Sequence, residues 1–148
     1  MDEVFITNSE EETILRASEF SKKLKPTDVV FLHGDLGSGK TTFTKGIARG
    51  LGISSRIISP TFVLMRKHTV DSNSDMPTLK MLYHLDLYRL SGEKEAKAID
   101  LKDFLDDPNG VVVIEWPEIG QSLINKKSWH IQLQTIENEA RRIEIDFK

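Results

Sequence analysis

Cysteine is absent from the sequence, which excludes disulfide bonds, thiolate metal sites and cysteine nucleophiles. Long apolar runs are absent as well, and none approaches the roughly 20 residues of a membrane-spanning helix. The chain begins with the acidic stretch Met1-Asp2-Glu3, which is unlike a signal peptide. A soluble cytoplasmic protein without a membrane association is therefore expected.

Excess positive charge is also lacking, because the formal net charge is −3 at pH 7. No global basic field would attract nucleic acid, so any contact with RNA has to be local or pass through a partner. A length of 148 residues, of which 39% are hydrophobic, is enough for a domain with a sizeable core. We see no repeat, low-complexity segment or linker, and predict a single domain over residues 1–148.

One glycine-rich stretch, residues 34–42, satisfies the phosphate-loop pattern G-x-x-x-x-G-K-[ST] at every position. The fixed positions are occupied by Gly34, Gly39, Lys40 and Thr41. The apolar run at 28–32 before the motif is typical of a short buried strand. After the motif, apolar residues recur every four positions and predict a helix that ends at a glycine.

This strand–loop–helix context is the one that the motif requires in a nucleotide site. Glycines let successive backbone N–H groups point at phosphate oxygens, beside the positive end of the helix dipole. Lys40 supplies a mobile positive charge for the β- and γ-phosphates, and the Thr41 hydroxyl can ligate Mg²⁺. We therefore predict that the chain binds a nucleotide.

Acidic residues end two further predicted strands. Asp86 closes a strand that is predicted to start at Thr78, and Glu115 closes the apolar run at 111–114. Carboxylates at such strand ends can hold Mg²⁺, directly or through water, or contact the attacking water. The alternatives are a cap for Asp86 and a buried acid paired to a basic group for Glu115. His84 is predicted to be half-buried scaffold.

Three other positions allow two interpretations each. The first helix starts at a capping box, formed by Ser9 with Glu12 or by Thr7 with Glu10, so Ser9 is a cap or a ligand. Thr61, in the segment Ser-Pro-Thr-Phe, belongs to a turn that enters a strand or to a switch near the γ-phosphate. Trp116 packs on the nucleotide or a partner, or fills the core. The residues alone leave these alternatives open.

Short elements are predicted for other parts of the chain. Arg56–Ile58 has the pattern of a short strand, and Lys67–Pro77 that of a polar loop at a hairpin tip. Two alternating segments within 129–147 predict an antiparallel hairpin. Arg141 and Arg142 would point to opposite faces of this hairpin, so at most one of them faces the site.

Guanine specificity is not supported, although two segments imitate guanine-binding motifs. Asn125–Ser128 resembles N-K-x-D, but Ser128 replaces the aspartate that would accept both guanine N–H groups. Asp107–Gly110 fits D-x-x-G, but it precedes its strand where the switch motif has to follow one. ATP is therefore favoured by elimination. A small-molecule kinase and a nucleotide-gated binding module remain the alternatives to an ATPase.

Four motifs occur along the chain in a fixed order. They are G-D-L-G-S-G-K-T-T-F at 34–43, S-P-T-F at 59–62, H-L-D-L-Y-R-L at 84–90 and E-W-P-E at 115–118. Together they resemble the TsaE (YjeE) family, the ATPase component of bacterial tRNA threonylcarbamoyladenosine biosynthesis. The resemblance covers nearly the whole chain.

The resemblance implies an α/β fold like that of P-loop NTPases, in three layers, with a mostly parallel central sheet, antiparallel edge strands and flanking helices. It also implies slow, Mg²⁺-dependent hydrolysis of ATP. This hydrolysis would support a TsaB–TsaD pair that transfers the threonylcarbamoyl group to the adenosine at position 37 of tRNA. Contact with the tRNA would be indirect, through that complex.

Carried over by motif, the resemblance assigns roles to individual residues. Mg²⁺ would be held by Thr41 and Glu115, and catalysis would involve Lys40, Asp86 and Thr61. The nucleotide would be contacted by Ser9, Gly37, Ser38, Gly39, Lys40, Thr41, Thr42, Trp116 and Arg141. Asp86 would be linked to the metal or orient the attacking water, and Thr61 would belong to a switch.

Overall fold

The structure of the chain is a computed structural model that describes residues 3–60, 65–87, 101–115 and 124–148. Two of the predicted site residues, Thr61 and Trp116, lie outside these ranges. None of the helices in the described ranges is long and apolar enough to cross a bilayer.

Seven strands in the described residues form one mixed sheet, in the order β1-β7-β6-β2-β5-β4-β3. Their bounds are β1 Glu3–Thr7, β2 Val29–His33, β3 Met65–Thr69, β4 Met81–Asp86, β5 Gly110–Glu115, β6 Trp129–Thr135 and β7 Arg141–Phe147. The central strands β6, β2, β5 and β4 are parallel. The outer pairings of β7 with β6 and β1, and of β3 with β4, are antiparallel. The predicted α/β class, with a parallel centre and antiparallel edges, is confirmed.

The helices are α1 Glu10–Ser21, α2 Lys40–Leu51 and α3 Leu101–Leu105 in the described part of the chain. The predicted capping box starts α1: Ser9 Oγ accepts a hydrogen bond from Glu12 N at 3.1 Å, and Glu12 Oε2 accepts one from Asn8 N at 2.6 Å. Gly52, with a left-handed φ of 83°, ends α2, as expected for a helix that stops at glycine.

Two apolar clusters cover the two faces of the sheet. Val30 and Leu32 of β2 belong to the cluster that contains residues of α1 and α2. Phe31, which points the other way, belongs to the cluster that contains Leu101 of α3. Strands β2 and β5 are buried at every position, which explains their continuous apolar sequences.

Two predictions about the middle of the chain are wrong. Arg56–Ile58 is irregular and not a strand. Ile57 is buried, at 7% exposure, so the apolar pattern reflects packing into the core and not strand pairing. The predicted loop Lys67–Pro77 starts too early, because β3 continues to Thr69 and pairs with β4. Polar side chains occur there because β3 is an edge strand.

Helices α1 and α2 pack with almost no space between their backbones. A Cβ atom at Gly46 would lie 2.4 Å from both Ala17 Cβ and the Ile14 carbonyl oxygen. One turn later, a Cβ at Gly50 would lie 2.6 Å from the Ser18 carbonyl oxygen. These glycines therefore let α2, and the loop that precedes it, lie directly against α1.

Two buried histidines face each other on the opposite side of the sheet. The rings of His33 in β2 and His130 in β6 stack, and His33 Nε2 lies 3.1 Å from His130 Nδ1. One nitrogen has to donate and the other to accept. Burial, followed by His33 and Lys148, lowers the pKa of His130, while Asp146 opposes the shift. The folded state therefore favours a neutral His130.

We expect the substitution Gly46→Ala to lower the free energy of unfolding by about 1–3 kcal/mol, because the added methyl group would overlap α1. At an open helix position the same change would be stabilising by up to about 1 kcal/mol. Urea denaturation measures the difference. The control is Lys45→Ala on the exposed face of α2, where a change within about 0.5 kcal/mol is expected. A more stable Gly46→Ala variant would contradict the close packing.

We also expect the free energy of unfolding to depend on pH. It should have its full value above pH 6.5, the ordinary pKa of histidine, and decrease as the pH falls below that value. Below this pH, His130 binds a proton more readily in the unfolded chain than in the folded one, and this difference favours unfolding. His68 acts in the same direction, since burial, followed by electrostatic interactions with His84 and Arg66, lowers its pKa. Urea denaturation at about pH 5.5 and 7.5, where carboxylates stay largely ionised, measures the loss. If a His68→Gln/His130→Gln double variant loses the same free energy of unfolding between these two pH values, the two histidines do not explain the loss.

Candidate functional site

The glycine-rich loop joins the end of β2 to the start of α2 and is held by short contacts. Ser38 N donates to the Asp35 carbonyl oxygen at 3.0 Å. A Cβ atom at Gly34 would lie only 2.5 Å from the Leu133 carbonyl oxygen. Gly39, the N-cap of α2, has a left-handed φ of 105°, which residues with side chains rarely adopt. The geometry therefore requires glycine at both fixed positions of the motif.

The start of α2 is open to an anion. Gly39 provides no side-chain cap, and the first turn contains no acidic residue. The N–H groups of a first turn have no acceptors within their own helix, and they form the positive end of the helix dipole. In α1, by contrast, the Ser9 side chain accepts a hydrogen bond from an N–H group of the first turn, which also contains three glutamates.

Lys40 is nearly buried, at 5% exposure. Its Nζ donates to the carbonyl oxygens of Gly34 at 2.6 Å and Asp35 at 3.0 Å. The side chain thus lies back across the loop, where neutral main-chain acceptors compensate part of the cost of removing its charge from water.

Two acidic residues lie side by side at the same edge of the sheet. Strand β4 begins at Met81 and not at the predicted Thr78, but it ends at Asp86 as predicted. Strand β5 ends at Glu115, which is paired with Asp86 in the parallel register. Both side chains are buried, at 3% and 2% exposure. The carboxyl ends of neighbouring parallel strands therefore bring both acids to the loop.

Each acid is held by a hydroxyl group. Thr41 Oγ1, in the first turn of α2, donates to Glu115 Oε1 at 3.3 Å. Ser59 Oγ donates to Asp86 Oδ2 at 3.3 Å. The contact between Thr41 and Glu115 connects the helix that follows the loop to the neighbouring strand.

His84 is a site neighbour that the sequence prediction missed. The prediction of a half-buried side chain is wrong, because His84 is completely buried and its Nε2 lies 2.5 Å from Glu115 Oε2. Its register partner is Val113, so Glu115 is its diagonal neighbour on the adjacent strand. The available signal was the two-residue spacing from Asp86, which puts both side chains on one face of β4.

Arg141 of β7 reaches the loop from the other side. Its Nε donates to the Ser38 carbonyl oxygen at 3.0 Å, and its Nη2 to that of Gly37 at 3.3 Å. Arg142 instead pairs with Glu144 at 3.1 Å. The prediction that at most one of the two arginines faces the site is confirmed.

Two adjoining cavities surround the loop and the start of α2. The larger, of about 320 Å³, is lined by Leu36, Gly37, Gly39, Lys40, Thr41, Thr42, Ser59, Asp86, Glu115 and Arg141. The smaller, of about 210 Å³, is lined by Ser9, Glu10, Thr13, Gly39, Thr42, Glu139 and Arg141. The structure thus brings most of the predicted site residues together, and Ser9 lies in the smaller cavity while it caps α1.

Ser38 differs from the other loop residues. Its side chain is buried at 1% exposure, and its Oγ has no hydrogen-bond partner in the described part of the chain. Ser38 lines a separate cavity behind the loop, beside Gln132 and Arg142. It contributes to the front of the loop through its carbonyl oxygen, which binds Arg141.

The segment that imitates a guanine-nucleotide switch, Asp107–Gly110, has a structural role. Asp107 Oδ2 accepts a hydrogen bond from the Tyr83 hydroxyl at 2.5 Å, and its Oδ1 accepts one from Asn109 N at 2.9 Å. Burial, followed by this bond to Asp107, raises the pKa of Tyr83 to about 12. The segment is a turn before β5, as its position in the sequence indicated.

Comparison with known proteins gives a consistent assignment. A family profile described as "Threonylcarbamoyl adenosine biosynthesis protein TsaE" matches residues 7–143. The chain is 35% identical to the tRNA threonylcarbamoyladenosine biosynthesis protein TsaE of Rickettsia conorii over 139 residues, 93% of this chain and 74% of that protein. It is also 35% identical to the TsaE protein of Bacillus subtilis over 137 residues, 93% and 80% of the two chains.

A solved structure agrees with the sequence comparisons. The crystal structure of Bacillus subtilis YdiB is similar to this chain with a TM-score of 0.78 and 30% sequence identity. The similarity covers 98% of this chain and 84% of YdiB. With matches in sequence profile, in individual relatives and in fold, the chain belongs to the TsaE family.

Proposed function

We propose that the chain is a Mg²⁺-dependent ATPase that hydrolyses ATP slowly and, with a TsaB–TsaD complex, supports threonylcarbamoyladenosine formation in tRNA. The observation that carries the proposal is the meeting of Thr41, Glu115 and Asp86 in one cavity beside an uncapped helix start. The family and relative names, which refer to this biosynthesis, support the biological role.

A three-layer P-loop NTPase fold is part of the proposal. The unit formed by β2, the glycine-rich loop and α2 has the order strand–loop–helix that this fold uses. β5, which ends in Glu115, runs parallel to β2 as its direct neighbour. In P-loop enzymes an acidic side chain outside the loop helps to hold Mg²⁺, and Glu115 would have this role.

The phosphates of ATP would bind at the loop and the open start of α2. Lys40 would exchange its two carbonyl acceptors for phosphate oxygens, which bind an ammonium group more strongly. Gly37, Gly39 and Thr42 line the cavity beside it. Ser38 would contribute through its main chain, since its hydroxyl lies behind the loop.

The oxygen groups of the cavity fit Mg²⁺ by their chemistry. The Thr41 hydroxyl and the Glu115 carboxylate would hold the ion, and hard oxygen ligands are those that Mg²⁺ prefers. Within the described ranges, no group of three or more His, Cys, Asp or Glu side chains could hold a metal ion. Phosphate oxygens and water would complete the coordination of the ion, as is usual for Mg²⁺. When bound, Mg²⁺ would neutralise charge on the β- and γ-phosphates.

Asp86 would orient the attacking water, because it lies beside Glu115 and lines the same cavity. The base and ribose would occupy the smaller cavity, between Ser9 and Arg141. Roles for Thr61 in a switch and for Trp116 near the nucleotide are carried over from the family.

Of the described residues, Arg141 is the arginine that lines the cavities, and it already binds loop carbonyls. Slow hydrolysis without a partner follows, since little extra positive charge reaches the transition state.

The proposed location is the cytoplasm, and the proposed contact with tRNA is indirect. A net charge of −3 would not attract RNA over a distance, so the TsaB–TsaD complex would hold the tRNA. Hydrolysis would then reset that complex between turnovers.

We expect Lys40→Ala to weaken ATP binding or turnover roughly ten- to a hundredfold, which corresponds to the loss of one charge-assisted contact of about 1.5–3 kcal/mol. A fluorescent ATP analogue and a phosphate-release assay measure the two effects. Lys45→Ala is the matched control, because Lys45 lies five residues further along the same helix but is exposed; it should leave both binding and turnover unchanged. Normal ATP affinity and turnover in Lys40→Ala would rule out this site.

The partner dependence can be tested with purified chain, alone and then with a TsaB–TsaD pair, with GTP as the control nucleotide. We expect slow turnover that is selective for ATP and rises when the pair is added. Fast turnover by the chain alone, or phosphate transfer to a small acceptor, would favour a kinase. Binding without hydrolysis in either setting would indicate a nucleotide-gated binding module.

A further inference from the structure

The two carboxylate oxygens of Glu115 have different partners. Oε1 accepts from the Thr41 hydroxyl at 3.3 Å, on the side of the larger cavity. Oε2 lies 2.5 Å from Nε2 of His84, which is completely buried. A carboxylate at 2% exposure that is held from both sides has little freedom to rotate.

His84 cannot act on a nucleotide directly. It is completely buried, and it lines neither of the two cavities around the loop. Among the described residues of the site, the one to which His84 is hydrogen-bonded is Glu115.

The hydrogen bond also fixes where the ring proton lies. Nδ1 of His84 is buried and has no hydrogen-bond partner among the described residues. A proton on Nδ1 would therefore be an unsatisfied buried donor, which costs more than an unused acceptor. A proton on Nε2 instead forms a charge-assisted bond to the Glu115 carboxylate. The contacts thus assign the tautomer in which Nε2 carries the hydrogen.

We propose that His84 is a positioning residue: its Nε2–H holds Oε2 of Glu115 so that Oε1 stays turned towards Thr41, as the Mg²⁺ site requires. The inference rests on the proposed function, because it assigns His84 to the support of that metal site. Ligating carboxylates are commonly oriented by such outer hydrogen bonds, and loss of the outer partner typically weakens metal affinity about 10- to 100-fold.

Two variants of matched polarity test the inference. His84→Gln keeps an N–H donor at nearly the reach of Nε2, whereas His84→Asn is one methylene shorter and cannot reach Glu115. The readout is the affinity for a fluorescent ATP analogue, measured with Mg²⁺ and again with EDTA. For His84→Asn we expect roughly 10- to 100-fold weaker binding in Mg²⁺ and little change in EDTA. His84→Gln should stay within a few-fold of wild type.

His68→Asn is the control, because His68 is a buried histidine on the neighbouring strand β3 whose Nδ1 bonds to Ser55 and not to Glu115. It should destabilise the fold without changing the Mg²⁺ dependence. Equal weakening of His84→Asn in Mg²⁺ and EDTA, or equal behaviour of His84→Gln and His84→Asn, would overturn the positioning role. Wild-type affinity that does not depend on Mg²⁺ would overturn the proposed metal site as well.

Nitrogen-15 NMR of the histidine rings tests the inference in the wild-type protein without nucleotide, and it does not depend on the folding of any variant. We expect a His84 signal of the Nε2-protonated tautomer with a strongly downfield ring proton. A proton on Nδ1 would overturn the assignment even if the Mg²⁺ site itself is correct.

Discussion

The parallel pairing of β5 with both β2 and β4 is the constraint on which the rest of the structure depends. It aligns Leu32 of β2 and Asp86 of β4 with Glu115 between them. Three strand ends therefore meet at one edge, where β2 continues into the glycine-rich loop. Strands that are buried on both faces can supply polar groups only where they end, so the site lies where the apolar sequences stop.

The charged side chains at this edge are buried, so their free energy depends strongly on the groups that they contact. Lys40, Asp86 and Glu115 are all at least nine-tenths buried, and an unpaired charge there would be costly. Main-chain carbonyls, hydroxyl groups and one imidazole compensate these charges in the protein alone. Each of these buried charges is therefore solvated by groups of the protein itself.

The sequence predicts the parts of the site that depend on local geometry or strict periodicity. The loop between β2 and α2, the capping box at Ser9 and the strand ends at Asp86 and Glu115 follow from patterns a few residues long. The alternation of β7 likewise separates Arg141 from Arg142.

Features that depend on which strands become neighbours could not be predicted in this way. His84 contacts Glu115 because β4 lies next to β5. The local sequence of either strand does not predict that the two are neighbours. At Ile57 the prediction fails in the other direction. The apolar pattern there is typical of a strand, but the segment packs into the core without forming one. Residues 31 positions apart in sequence can form a 2.5 Å contact, and no local pattern records it.

The order of the strands has a consequence for how the protein emerges from the ribosome. β1 pairs only with β7 among the described strands, with residue 3 opposite residue 145. β7 also carries Arg141, which binds the loop carbonyls of Gly37 and Ser38. A nascent chain can form the β2–loop–α2 unit early, but it cannot cover its first strand or anchor the loop until β7 has been synthesised. Because contacts between such distant segments are slow to form, the Arg141 anchor of the loop depends on a sheet whose last strand is in place.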